Sequence, residues 1–181
     1  RDVAPSRGLG DVYKRQVYFM SMDANAEGPV YTADQGSMLL RLDWQSERRV
    51  MAVFDTYLAV LDPTTGTETA RYDYGGAALQ SVAPGRRQTA LLLTVRGGNN
   101  LVTLSETLTP MAEIPARQAF GVSATDTDIY LLCPDAVECY GYDGVQNWVY
   151  SDLASRPLAV VNAAKPLLLT GSRAEVLEGG S

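Results

Sequence analysis

Apolar residues in this chain come in short runs, each closed by a turn signal. Residues 56–74, TYLAVLDPTTGTETARYDY, set the pattern. An apolar strand ends at Asp62, a tight turn occupies Asp62-Pro63-Thr64-Thr65-Gly66, and a second strand leaves it with polar and apolar positions alternating. Weaker copies recur along the chain. Strand ends before a polar turn fall at Asp23, Asp62, Ser105, Asp143 and Glu178, at spacings of 39, 43, 38 and 35 residues.

The segments between these ends repeat in order. After Gly75-Gly76 come a strand at 78–82, a turn at Pro84-Gly85-Arg86-Arg87, an apolar strand at 89–95, a hairpin turn at Gly97-Gly98-Asn99-Asn100 and a strand at 101–105. The next repeat has strands at 119–123, 129–133, 137–142 and 146–150, with turns at Thr125-Asp126-Thr127, Pro134-Asp135 and Asp143-Gly144. The last has strands at 158–161, 166–170 and 174–177, with turns at 162–165 and Gly171-Ser172. Upstream, 36–42 and 49–54 lead into the first apolar strand. In each repeat the second strand is the most continuously apolar: VMAVF, ALLLTV, IYLLC, PLLLT. A strand covered on both faces reads this way, whereas 68–74 alternates as a solvated edge does. Residues 112–119 come nearest to a helical stripe, and Pro115 breaks it.

A period near 40 with about four short strands per unit is that of a propeller blade. The expectation is an all-β chain with almost no helix: a β-propeller fragment of about three complete four-stranded antiparallel blades plus half blades at each end. The blade units fall roughly at 36–74, 77–114, 118–150 and 156–178. The chain ends in mid-turn at Glu178-Gly179-Gly180-Ser181, as an arc of a larger ring would. The alternative is a small ring in which 17–34 joins the last three strands to complete a fourth blade.

Residues 1–16, RDVAPSRGLGDVYKRQ, carry four Arg or Lys and no strand alternation. GLGDVYKRQ resembles a translated adapter read-through that heads many metagenome-derived reading frames. The resemblance implies a non-native, disordered leader and a reading frame entering near Val17. Gly8-Leu9-Gly10 lacks the preceding strand and third glycine of a phosphate loop.

Composition then narrows the chemistry. Among 181 residues, 46% are hydrophobic and 20% charged, enough for a packed core. The net charge is -6 and the pI about 4.6, without a basic stripe, so nucleic acid is not an expected partner. No apolar run reaches the ~18 residues of a membrane span. Histidine is absent, which excludes Ser-His-Asp and Cys-His nucleophiles and His-containing metal sites. Carboxylate, Tyr, Lys and Cys chemistry remains.

Each candidate has a scaffold reading beside its functional one. Asp23, Asp62 and Asp143 would contact a ligand or cap their own turns, and repetition favours capping. Asp126 and Asp128 supply two oxygens, where calcium needs about 6–8. Cys133 and Cys139 flank the Pro134-Asp135 turn and either form a cross-hairpin disulfide or lie buried as thiols. Of ten tyrosines, Tyr31, Tyr57, Tyr72, Tyr74, Tyr130, Tyr140, Tyr142 and Tyr150 fall in strands; with Trp148 they line a ligand surface or pack across strands. Arg48-Arg49 and Arg86-Arg87 read as solvated turn charges. No residue is assigned a catalytic, cofactor or metal role, and no cofactor is expected.

Two turns carry a family likeness. Leu61-Asp62-Pro63-Thr64-Thr65-Gly66 and Tyr142-Asp143-Gly144-Val145-Gln146-Asn147-Trp148 resemble the repeats of quinoprotein-like (PQQ-type, WD40-like) bacterial β-propellers, in which a strand ends in Asp, a Gly turn follows and a Trp docks four residues on. Trp148 matches the docking position; Ala70 departs from it, and Thr67 and Val145 stand where the family has Lys. The chain also resembles membrane-anchored propeller-like proteins of gut bacteria. The repeats, the lack of His and the lack of a convergent polar cluster point to a non-catalytic scaffold that presents loops to a protein partner, and the likeness implies a setting outside the cytoplasm; a quinoprotein-like enzyme and a glycan-binding propeller are the alternatives.

Overall fold

The computed structural model describes residues 16–19, 28, 30–151, 153, 155–161 and 165–177. Among these, every regular element is a strand. The chain divides into two compact units that part between Arg71 and Tyr72. The segment 1–15, Asp23, the turn residues 162–164 and Glu178 lie outside the described residues.

In the first unit, β1 (Gln16–Tyr18) and β2 (Val30–Thr32) form a two-stranded antiparallel sheet, with Val17 opposite Tyr31. The strands β3 (Leu39–Ser46), β4 (Arg49–Phe54), β5 (Tyr57–Asp62) and β6 (Thr67–Asp73) make a four-stranded meander in sequence order. Val50, Ala52 and Phe54 on β4 and Tyr57, Ala59 and Leu61 on β5 bury one face under Val17, Phe19, Tyr31 and Ala33. These positions are two apart, as the pleat requires. A polar chain ties the two sheets. The Tyr31 hydroxyl donates to Glu68 Oε2 (2.7 Å), so the 3.1 Å bond between the Tyr31 and Tyr57 hydroxyls takes its proton from Tyr57. Arg71 lies over the Tyr57 ring, 3.7 Å from its centroid, and pairs with Asp34.

The second unit holds β7 (Ala78–Pro84), β8 (Thr89–Val95), β9 (Gly98–Leu104) and β10 (Pro110–Pro115) as one sheet. A second contains β11 (Gly121–Ala124), β12 (Asp128–Leu132), β13 (Val137–Gly141) and β14 (Gln146–Tyr150). The third has β15 (Pro157–Val161), β16 (Leu167–Thr170) and β17 (Ala174–Val176). All pair antiparallel in sequence order. First strands stack: β11 packs against β7 on one side and β15 on the other. A serine links each pair. Ser81 Oγ on β7 accepts from the Val122 amide at 3.2 Å, and Ser123 Oγ on β11 accepts from the Val160 amide at 3.2 Å.

The middle sheet explains the continuously apolar second strands. Ile129 and Leu131 face Ala90, Leu92 and Leu101 of the sheet before; Tyr130 and Leu132 face Val160 and Leu168 of the sheet after. Both faces of β12 are dry, so alternation disappears. Each fully buried leucine there contributes about 1.5–3 kcal/mol. The β4 and β8 strands are likewise largely buried, whereas β16 alternates buried and half-buried residues.

The all-β expectation and the four-stranded antiparallel sheets match the structure, and among the described residues there is no helix, in line with the expectation of almost none. Two local expectations change. The β8–β9 turn is Arg96-Gly97, and Gly98, Asn99 and Asn100 are paired in β9 opposite Val95, Thr94 and Leu93. Gly97 has φ +105, so it supplies the tight bend one step earlier than the run of turn residues indicated. Residues 110–115, the first half of which the sequence left without an assignment, form β10. Its prolines sit at its two ends on a sheet edge, where a missing N–H costs nothing.

Candidate interaction surface

In the second unit the strand connections gather at two ends. One end carries the β7–β8, β9–β10, β11–β12 and β13–β14 turns, knitted by Tyr142. Its hydroxyl donates to Thr125 O (3.1 Å), and its carbonyl accepts from the buried Thr103 Oγ1 (2.7 Å), which also takes the Ala112 amide (2.9 Å). Burial pushes the Tyr142 hydroxyl up to about 12, with Asp126 and Asp128 adding to it.

The aspartates at the turns serve their own backbone. Asp62 Oδ1 accepts from the amide and hydroxyl of Thr64 (2.8 and 2.6 Å), bonds that hold its carboxyl below the usual range. Asp143 Oδ1 accepts from the Val145 amide at 3.0 Å. Gly66 and Gly144, with φ of +71 and +83, complete these two turns. The Asp128 carboxylate is engaged by Thr127 Oγ1 (2.6 Å) and Asn147 Nδ2 (3.3 Å). Among the described residues, no three His, Cys, Asp or Glu converge as metal ligands, and no helix is long and apolar enough to cross a membrane.

Cys133 and Cys139 do not face each other, so the disulfide alternative is not realised. In the β12–β13 register Cys139 lies opposite Tyr130, three residues before Cys133. Odd spacing on a pleated strand puts them on opposite faces. Cys133 joins the core shared with β7–β9, and Cys139 the core shared with β15–β17. Burial pushes both thiols up to about 11, helped by Glu138 and Asp135 at Cys133 and by Asp128 at Cys139. Both are thus protonated and unreactive at neutral pH. Tyr57, Tyr74, Tyr130 and Tyr142 are buried, and Trp148 packs on Tyr130 with ring centroids 6.0 Å apart. Arg48, Arg86 and Arg87 are exposed.

The other end of the unit is open. The β10–β11 connection is fastened there by Ala116 N to Asn99 O (2.7 Å), Asn99 Nδ2 to Ala119 O (2.6 Å) and Phe120 N to Leu132 O (2.9 Å). Those bonds bring the β8–β9 turn, this connection and the β12–β13 turn together. Two shallow, open clefts lie along this end. One, of about 310 Å³, lies between Tyr74-Gly75-Gly76-Ala77 and Thr94-Val95-Arg96. The next, of about 230 Å³, lies between 115–119 and Cys133 with Glu138. Both are formed by the connection entering a sheet and the turn between that sheet's second and third strands. Arg96, Arg117, Arg156 and Arg173 are exposed at this end. Arg156 lies over the Phe120 ring at 3.9 Å, and Arg173 pairs with Glu175 at 3.1 Å. The sequence reading picked out none of these arginines, because each stands alone in its turn. Nor did it find Ser81, Thr103 or Ser123, although the two serines recur at nearly the repeat period.

No protein-family model matches the chain, and no curated protein sequence matches it. Solved structures do. The computationally designed Ika4 protein aligns with a TM-score of 0.65 at 13% identity, covering 87% of this chain and all of its own. The C-terminal WD40 domain of Sif2 aligns with a TM-score of 0.64 at 10% identity over 83% of this chain, and BBS1N, solved in complex with ARL6DN, with 0.59 at 15% identity over 80%. The chain spans about half the length of these last two, 47% and 51%. At such identities the likeness is one of fold, and the fold is that of a WD40-like β-propeller.

Proposed function

We propose that this chain is a non-catalytic β-propeller scaffold whose cleft end presents connections to a partner protein. The observation that carries the reading is the pair of open clefts, built from loops fastened to rigid sheets, while the aspartates elsewhere are engaged with their own turns. Rigid sheets presenting variable loops are a common platform for recognition. The complex of BBS1N with ARL6DN, among the structural neighbours, is in keeping with it. An extracytoplasmic bacterial setting is proposed on the likeness of the Asp62 and Asp143 turns to PQQ-type repeats. A fusion of the full reading frame to alkaline phosphatase, active only outside the cytoplasm, tests that setting; an inactive, intact fusion rejects it.

Selection of random peptides displayed on phage against the purified protein tests the scaffold reading. A recurrent consensus should emerge, and Gln118→Trp, which fills the second cleft, should abolish its binding. Failure to enrich any consensus, or enrichment of peptides indifferent to Gln118→Trp, would overturn the proposal.

A further inference from the structure

We infer that the cleft end of the second unit takes an acidic, extended segment of a partner protein, gripped by Arg96 and Arg117. The inference rests on the scaffold reading and adds the chemistry of the partner. The chain is acidic overall, and at this end four arginines stand among Asp73, Glu113, Asp135, Glu138 and Glu175, of which Glu113 is bonded to Asn100. Two of the four are occupied, Arg156 by the Phe120 ring and Arg173 by Glu175. Glu138 accepts a hydrogen bond from the Tyr140 hydroxyl at 2.8 Å. Among the described residues, Arg96 and Arg117 have no hydrogen-bond or ion-pair partner.

Their placement is built into the fold. The stem of Arg117 lies on Gly98: a Cβ at that glycine would stand 3.1 Å from Arg117 Cγ and 3.3 Å from its Cα. Gly98 is also held at φ +141, which a side chain rarely adopts. Glycine at 98 thus makes the seat for Arg117, and Arg96 stands two residues upstream, in the turn that leads into β9. Each guanidinium offers a planar fork of five donors, which matches a carboxylate in bidentate fashion. The two clefts open at successive sheets. Face-to-face sheets stack about 10 Å apart, and an extended chain advances about 3.3 Å per residue. Carboxylates three residues apart would therefore reach both clefts. Two free guanidiniums on an acidic chain fall well short of the roughly 6–10 phosphate contacts of a typical nucleic-acid binder, so a polypeptide is the better match.

The probe is a fluorescein-labelled twelve-residue peptide with Glu at every third position and Gly between, read by fluorescence anisotropy. A Gln-for-Glu peptide and a dodecathymidylate are run beside it. Binding should weaken at least about tenfold in Arg96→Glu/Arg117→Glu, and should fall as NaCl rises from about 50 to about 200 mM. The Arg86→Glu/Arg87→Glu protein, altered at the opposite end, should bind as the parent does. Circular dichroism and the milder Arg96→Gln/Arg117→Gln protein control for folding. Equal binding of the Gln peptide, indifference to the Arg96/Arg117 changes, no binding at millimolar peptide, or preference for the oligonucleotide would each overturn the inference. A phage consensus lacking acidic residues would remove the acidic chemistry and leave the scaffold reading standing, whereas no consensus at all would remove both.

Discussion

Thr103 is the residue through which one sheet of the second unit holds the turn of the next. It is fully buried, its hydroxyl donates to the Tyr142 carbonyl at 2.7 Å, and the Ala112 amide donates to it at 2.9 Å, where β10 shifts register. Thr103→Val keeps the shape and deletes both bonds. Each buried group left unsatisfied costs about 1–3 kcal/mol, so the substitution should destabilise by about 2–4 kcal/mol, allowing for the better burial of a methyl. Thr103→Ser keeps both bonds and loses one methyl, which costs about 1 kcal/mol. Urea unfolding followed by Trp148 fluorescence, in a Trp44→Phe background, reads the second unit alone. Trp44 is 66% exposed, so its replacement disturbs little. With an m-value near 2 kcal/mol/M, Thr103→Val should lower the midpoint by about 1–2 M and Thr103→Ser by about 0.5 M. The reasoning fails if Thr103→Val unfolds with the parent, or if Thr103→Ser is as damaging as Thr103→Val.

Three further predictions concern separate parts of the molecule. Cys133 and Cys139 should resist iodoacetamide at pH 8 and react fully only in denaturant; because burial raises both thiols to about 11, their contribution to stability is present below the unfolded thiol value near 8.5 and is lost as pH rises through 11. A Cys133→Ala/Cys139→Ala protein should lose less stability between about pH 8.5 and 11 than the parent, and an equal loss in both would contradict the assignment. Tyr31→Phe deprives Glu68 and the Tyr57 hydroxyl of their shared partner and should destabilise the first unit by about 1–3 kcal/mol, read by thermal unfolding of a Trp148→Phe background; an unchanged midpoint would show that the polar chain adds nothing. Gly98→Ala meets both its φ and Arg117, so it should cost about 1–3 kcal/mol in urea unfolding and weaken acidic-peptide binding, whereas Gly171→Ala, which meets nothing, should leave both near the parent.

Much of the fold is readable in the chain because turns and strands are local. Asp62 to Gly66 forms its turn through contacts within four residues, and the TALLLTV run announces two-sided burial without reference to any neighbour. The separation of Cys133 from Cys139 was readable too: a turn centred on Pro134-Asp135 sets the parity of the hairpin, and parity puts those thiols on opposite faces. What sequence alone determined, then, is the repeat, the strands and the self-capped turns, since each depends on spacings of two to five residues. The tertiary structure alone decided the rest: that Ser81 meets Val122, that Thr103 meets Tyr142, and that Arg117 rests on Gly98 beside Arg96. Those meetings join residues about 20 to 40 apart and depend on how one twisted sheet lies against the next, a quantity that no local pattern of apolar and polar positions encodes.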